Sequence, residues 1–470
     1  MNSRDRRTGW RPFCRVLATS LVGISVIACT AIPATPSSAP PSPSSTTAPA
    51  ATSTATAIAS GGPKKDDPTP TTTPAGSLSA LPNLAPAPPG KWAGLRWIAL
   101  QEAPIIVASA TPAGAENVID GGAKLFGWSR GYVAFETSTW SVSSAGWSSV
   151  IDSAHSTDGV RWQAGPSLHF EDFDIEISRV IEGPAGLLAI GRHAPGACGG
   201  GPSVATIWRS TDGVSWQQLS MAGFGSGYVE TIDGGSAGYI ATGLTSDDKP
   251  AVWTSSDGTS WKPASLTAAA FKGMTVIENG TAFAGGYVLA GATLSPDGGC
   301  GGPPHLSPSL WWSADGMAWS RDTVPGALSA VDVQMRVCRI DDESLLANES
   351  TYDTTTGKTT SAGWTSTDGR TWKQTSAATL DCDSIVGEAE RGLVFDPPYQ
   401  QPDSSVAPMR AYDIGAGLTS TALTQTGEMP DQLGWANGEL GVSSVAVGPT
   451  GVVVAASGGT RIWIGVPVAA

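Results

Sequence analysis

Apolar and polar positions along this chain alternate in short runs, and two recurring signals punctuate them. The first is a turn residue leading an apolar stretch, Gly-x-φ-x-Ala or close to it, where φ is apolar. It appears as Gly131-Tyr132-Val133-Ala134, Gly186-Leu187-Leu188-Ala189, Gly238-Tyr239-Ile240-Ala241, Gly286-Tyr287-Val288-Leu289-Ala290, Ser344-Leu345-Leu346-Ala347, Gly392-Leu393-Val394-Phe395 and Gly451-Val452-Val453-Val454-Ala455, seven copies. The second is Ser-x-Asp-Gly-x-x-Trp, which runs from Ser156 to Trp162 and recurs ending at Trp216, Trp261, Trp319 and Trp372. Apolar alternation bounded by Gly and Asp reads as short strands joined by hairpins. Each unit therefore reads as strand, tight turn, strand, longer loop, strand, Asp-Gly turn, strand.

Seven such units of about 53 residues predict an all-β fold, a seven-bladed β-propeller of four-stranded antiparallel blades over residues 91–470. The chain ends predict how the ring closes. Arg461-Ile462-Trp463-Ile464 matches a third strand such as Thr206-Ile207-Trp208-Arg209 but has no fourth strand after it. Gly94-Leu95-Arg96-Trp97 matches a fourth strand such as Gly159-Val160-Arg161-Trp162 but has no third strand before it. N- and C-terminal strands are thus expected in one blade, which removes exposed edges.

Asp-Gly favours a two-residue type I′ turn, which needs positive φ at both positions. Such a turn at Asp212-Gly213 would set Arg209 opposite Trp216 and Ser210 opposite Ser215, with Trp208 and Trp216 on opposite faces. Each blade would then offer one indole to each neighbour. On this reading Asp158, Asp212, Asp257, Asp315 and Asp368 are structural turn residues, and the associated Trp residues are inter-blade core.

The motif resembles the Asp box, or BNR repeat, of sialidases, sortilin-type receptors, some glycoside hydrolases and photosystem II assembly factor propellers. The usual pattern, Ser-x-Asp-x-Gly-x-x-Trp, is one residue longer than all five copies here. In those families the box is a turn on the face opposite the ligand site, so the resemblance implies a propeller and leaves function open.

The N-terminus adds a destination. Five Arg within residues 1–28 precede an apolar run from Val16 to Ala28, the pattern of an export signal and too short for a mature membrane span. The run ends in Val26-Ile27-Ala28-Cys29, which resembles a bacterial lipobox and makes Cys29 the expected lipidation site. From residue 29 to 90 the chain is mostly Ala, Pro, Ser and Thr, an expected disordered stalk that could reach roughly 45 Å as a coil. Three segments follow: 1–28 signal, 29–90 linker, 91–470 propeller. Without residues 1–28 the chain holds 22 basic and 40 acidic residues, a poor match to nucleic acid or to anionic lipid. Membrane attachment is expected through the lipid alone, on the bacterial cell surface or periplasmic face, with the protein a monomer.

Export also permits disulfides. Cys198, Cys300, Cys338 and Cys382 allow two bridges in any of three connectivities. His193 and Cys198 share one Gly-rich loop, and Cys300 and His305 share the equivalent loop two units on. A bridge between those loops is favoured over a metal site, because neither has the short Cys spacing of zinc sites.

Candidate chemistry is sparse. No Arg-Ile-Pro occurs, and no Arg recurs at a fixed inner-strand position, as a sialidase would require. There is no Gly-rich phosphate loop, no His-Glu-x-x-His and no Gly-x-Ser-x-Gly, so no cofactor and no metal are expected. Acidic residues remain. Asp174 and Glu176 share one face of an expected innermost strand, and Glu230, Asp332, Asp381 and Asp383 fall near comparable positions in units three, five and six. Asp174, Glu176, Glu230, Asp332 and Asp383 form the expected ligand-binding rim of the axial channel. The reading is a non-catalytic binding or scaffolding module for an extracytoplasmic protein or glycan. The alternative is an exo-acting glycoside hydrolase of sialidase-like type, which needs a carboxylate pair.

Overall fold

The computed structural model describes residues 82–88, 92–101, 115–142, 146–170, 175–193, 204–294, 305–322, 324–326, 333–353, 358–375, 382, 385–386, 393–396, 399–400, 406–407, 410–414, 420–428, 442–456 and 461–469. All lie within one compact unit, Ala75–Ala470. Cys29 and the expected signal segment lie outside the described residues.

Six blades form the body, each built on an antiparallel meander. Blade 1 is Glu116–Trp128, Gly131–Val142, Gly146–Ser156 and Gln163–Ala164, with Leu168–Phe170 adding to its third strand. Blade 2 is Glu176–Gly183, Gly186–His193, Val204–Ser210 and Gln217–Gln218; blade 3 is Tyr228–Gly235, Gly238–Leu244, Pro250–Ser255 and Lys262–Pro263. Blade 4 is Met274–Phe283, Gly286–Leu294, Leu306–Ser313 and Ser320–Asp322; blade 5 is Val333–Asp341, Ser344–Asp353, Lys358–Ser366 and Lys373–Thr375. The closing blade is Val442–Gly448, Gly451–Ala456, Arg461–Ala469 and Trp92–Gln101. In it Trp97 faces Gly465 and Leu100 faces Ile462, so the two ends of the chain share one sheet.

The expectation of seven equivalent blades is corrected to six. The innermost strands of the six blades run from 7 to 13 residues. The remaining four-stranded sheet, Ile385–Val386, Leu393–Asp396, Arg410–Ile414 and Ser420–Ala422, has an inner strand of 2 described residues and is not a full blade. Its sequence explains the difference. Val386 is followed by Gly-Glu-Ala-Glu-Arg instead of an apolar alternation, Asp396 by Pro397-Pro398, and no box motif occurs there. Proline removes a ladder donor and ends the second strand. The outer strand of this small sheet continues into Thr424–Gly427, which lies parallel to Gly94–Trp97 as a fifth strand of the closing blade. That blade is therefore neither four-stranded nor purely antiparallel.

First and second strands are joined by two-residue hairpins, as at Gly183↔Gly186 and Gly235↔Gly238. Gly238 has φ +135°, and a Cβ there would collide with the Ser255 carbonyl, which is why glycine leads the hairpin signal. Because successive strands reverse, the turns from strand one to two and from three to four emerge on one face, here the box face. The loops from two to three and from the outer strand to the next blade emerge on the other, the loop face.

The core is a set of apolar clusters between neighbouring blades. Trp208 packs between blades 1 and 2, Trp253 and Trp261 between 2 and 3, Trp311 between 3 and 4, Trp364 and Trp372 between 4 and 5. Trp216 joins Trp208 in the first of these and Trp319 joins Trp311 in the third. Both indoles of a blade thus face the same, preceding neighbour, and the expected placement on opposite faces is corrected. The cause is register: Arg209 pairs with Gln217 and Trp208 with Gln218, so the turn is longer than two residues. Tyrosines at the second hairpin position tie blades together. Tyr132 Oη donates to Gly451 O at 2.8 Å, and Tyr239 Oη donates to Gly186 O at 2.8 Å. Burial pushes both hydroxyls up to about 12, so they stay protonated donors.

Candidate functional site

In all five box turns the Asp Oδ1 accepts from the box Ser hydroxyl and from the backbone amides two and three residues on. In the first, Gly159 N–H donates to Ser156 Oγ at 2.8 Å, and Val160 and Arg161 N–H donate to Asp158 Oδ1 at 2.9 and 2.8 Å. Ser156 Oγ–H donates to the same carboxylate at 3.1 Å. Asp212 accepts from Val214 and Ser215, Asp257 from Thr259 and Ser260, Asp315 from Met317 and Ala318, and Asp368 from Arg370 and Thr371. Only the glycine of each box is left-handed, with φ between +70° and +74°, so this is an Asp- and Ser-anchored turn and not the expected type I′ hairpin.

Electrostatics follow from those bonds. Backbone donation, from Ser215 above all, holds the Asp212 carboxyl below its ordinary range, and donation from Ala318 and Met317 does the same for Asp315. Ser260 and Thr259 amides lower Asp257. Burial pushes Asp368 up, but the amides of Thr371 and Arg370 outweigh it and leave the group at about 2. For Asp158 burial likewise opposes, and the amides of Arg161 and Val160 prevail. A carboxylate so engaged closes a turn and is a poor proton donor at neutral pH.

The inner strands carry a second pattern. A bulge interrupts the ladder at Ser178 in blade 2, Glu230 in blade 3, Glu278 in blade 4 and Ser443 in the closing blade. Each lies five residues before the end of its strand, at Gly183, Gly235, Phe283 and Gly448. Bulges re-aim side chains out of the alternating pattern. The next residue in three of these strands ties its blade to the following one. Arg179 Nη2 lies 3.4 Å from Asp233 Oδ1. Asn279 Nδ2 donates to Val337 O at 2.7 Å while its Oδ1 accepts from Val337 N at 3.0 Å, a side-chain imitation of a ladder rung. Ser444 Oγ accepts from Leu125 N at 2.8 Å.

Of the expected rim residues, Asp174, Asp332 and Asp383 lie outside the described residues, as does Asp381. Glu176 opens the first strand of blade 2 opposite Arg192, and its side chain is not described. Glu230 is exposed on its bulge. Sequence reasoning missed Glu278, which is half-buried at the equivalent position of the next blade. Aligning the units on their hairpin glycines, and not on the boxes, would have paired the two. Among the described residues no group of three or more His, Cys, Asp or Glu is arranged to hold a metal ion.

One cross-link is present. Cys338, on the first strand of blade 5, is bonded to Cys382, with Cα atoms 5.6 Å apart. Cys382 N–H also donates to Asn348 Oδ1 at 3.3 Å. Cys198 and Cys300, the pair favoured from their loops, lie outside the described residues.

These sheets, stacked with their first strands innermost, define the chain as a β-propeller. No family model matches it, and no curated protein does. Solved structures match at low similarity. The β-propeller domain of the Trilobed protease from Pyrococcus furiosus is 10% identical, with 72% of this chain and 92% of that chain covered and a TM-score of 0.37. A glycoside hydrolase is 10% identical over 67% of this chain and 89% of its own, at TM-score 0.27. The six-bladed fucose-recognising lectin of Aleuria aurantia is 10% identical over 67% and 96%, at TM-score 0.30. At such values the fold assignment rests on this chain's own strands.

Proposed function

We propose that the protein is a lipoprotein tethered through Cys29 whose propeller is a non-catalytic binding or scaffolding module for an extracytoplasmic protein or glycan. One observation carries this reading: the two faces differ in kind. The box face is built from short repeated turns whose carboxylates are occupied by backbone amides. The loop face joins strands of unequal length through segments that carry neither the box nor the hairpin signal and, apart from the two Gly-rich loops around Cys198 and Cys300, differ from blade to blade, the sequence variety a specific recognition surface needs. Ligand contact is assigned to the loop face, with Glu230 and Glu278 on the inner-strand bulges, and Asp174, Glu176, Asp332 and Asp383 are the further carboxylates to test. Lipidation and binding are tested separately. Metabolic labelling with a radiolabelled fatty acid should mark the wild type and not Cys29→Ala; equal labelling of both removes the tether. A panel of fluorogenic glycosides should show no turnover; hydrolysis abolished by Asp174→Asn or Glu176→Gln would make the protein an enzyme.

A further inference from the structure

The segment 82–88 has the composition of the linker, yet four of its residues, Pro82, Leu84, Ala87 and Pro88, contact the propeller. Leu84 packs into the apolar cluster between the closing blade and blade 1, beside Tyr132, Val160, Val453 and Ile462. Ala87 packs into the cluster on the other side of the closing blade, with Trp92, Trp463, Leu393 and Leu423. Its N–H donates to Pro449 O, in the first hairpin of the closing blade, and Arg161 Nη1, in the box of blade 1, donates to Pro82 O at 3.3 Å. Trp92 Nε1, at the start of its strand, donates to Pro88 O at 3.2 Å.

We propose that residues 82–88 are a strap that locks the ring shut. The segment crosses the box-face end of the closing blade from one interface to the other. That blade is the only one assembled from both ends of the chain, so no covalent turn joins its third strand, Arg461–Ala469, to its outer strand, Trp92–Gln101. In blades 1 to 5 the box turn makes that join. The strap stands in for it: it fixes Trp92–Gln101 through Pro88 and the first hairpin through Pro449, and it ties both to the neighbouring box through Pro82. Proline suits the task, because a chain already restricted in φ loses less entropy on docking.

Hydrogen exchange followed by mass spectrometry on the full chain, without lipid, tests the strap. In Leu84→Asp the amides of 92–101, 451–456 and 461–469 should exchange at least tenfold faster than in the wild type, with 238–255 of blade 3 unchanged. Leu84→Ala should move the same strands at least threefold, which keeps the test decisive where the aspartate prevents folding. Unchanged exchange in the closing blade with either folded variant overturns the proposal, as does an equal rise in blade 3. The absence of lipid makes failure count against the strap alone.

Discussion

Replacing Cys338 and Cys382 together by serine removes the cross-link that holds the end of blade 5 to its own inner strand. The bridge closes a loop of 44 residues. Loop-closure entropy for that length gives about 4 kcal/mol at 25 °C in favour of the cross-linked fold. The site raises the local importance of that figure. Cys338 follows Val337, whose backbone is held by Asn279 of blade 4, and Cys382 precedes the small sheet, whose inner strand is 2 described residues long. The bridge therefore ties Cys382 to a paired inner strand, where Cys338 faces Leu346. With unfolding entropy of about 2.1 cal/mol/K per residue over roughly 380 residues, ~4 kcal/mol corresponds to a loss of about 5 °C in Tm. The assay is thermal unfolding of the double variant by tryptophan fluorescence, with exchange measured over 333–353. Serine variants are preferred to a reductant, which acts on every disulfide at once. A Tm within about 1 °C of wild type, with protection of 333–353 intact, would refute the reasoning.

Four further outcomes are expected. Burial pushes Asp322 up to about 6, with Arg370 opposing and Asp368 adding, and its Oδ2 has no hydrogen-bond partner among the described residues. The folded carboxyl keeps its proton to about pH 6 while the unfolded chain releases it near 4, so its contribution is complete below about pH 4 and lost as pH rises through 6. Asp322→Asn should flatten that dependence and stabilise by about 1 kcal/mol at pH 7, the full shift being discounted for partial exposure; denaturant titrations at pH 4, 5, 6 and 7 check it. Asp368 behaves in the opposite sense, its contribution present above about pH 4 and lost as pH falls through about 2. Asp368→Ala should cost about 1–2 kcal/mol in urea unfolding at pH 7, with glycoside and partner assays unaffected. Tyr132→Phe should cost about 1 kcal/mol by removing the bond to Gly451 O, while a neutral result would assign that hydroxyl no net role.

Much of the architecture was legible because a repeated unit writes its own alignment. Gly186, Gly238, Gly286 and Gly451 mark hairpins with positive φ, and Arg461–Trp463 together with Gly94–Trp97 show where the ends meet. The number of blades was less legible. A hairpin signal at Gly392 counts as a unit in sequence, but the run before it lacks the alternation that the inner strand of a full blade requires, and Pro397-Pro398 follow the second strand. The direction of the tryptophans failed for a related reason. Ser156 and Asp158 spend their acceptors on backbone amides inside the turn, which lengthens it, and a shift in register sends a side chain to the other face of a sheet.

The candidate site was least legible, and the physics of the fold says why. Repetition is imposed by what every blade must do, which is close a turn and fill the gap to its neighbour. Residues that bind a ligand are under no such demand, since each blade meets a different part of it. Glu230 and Glu278 became comparable only through bulges at equivalent places in two ladders, a backbone irregularity that composition does not announce. Asn279, between them and the next blade, makes the same point: in sequence it is a polar residue in a strand, and in the structure it replaces a peptide group at an inter-blade seam. In this propeller the repeated residues report how the ring is held, and the search for what it recognises belongs with the residues that repeat least.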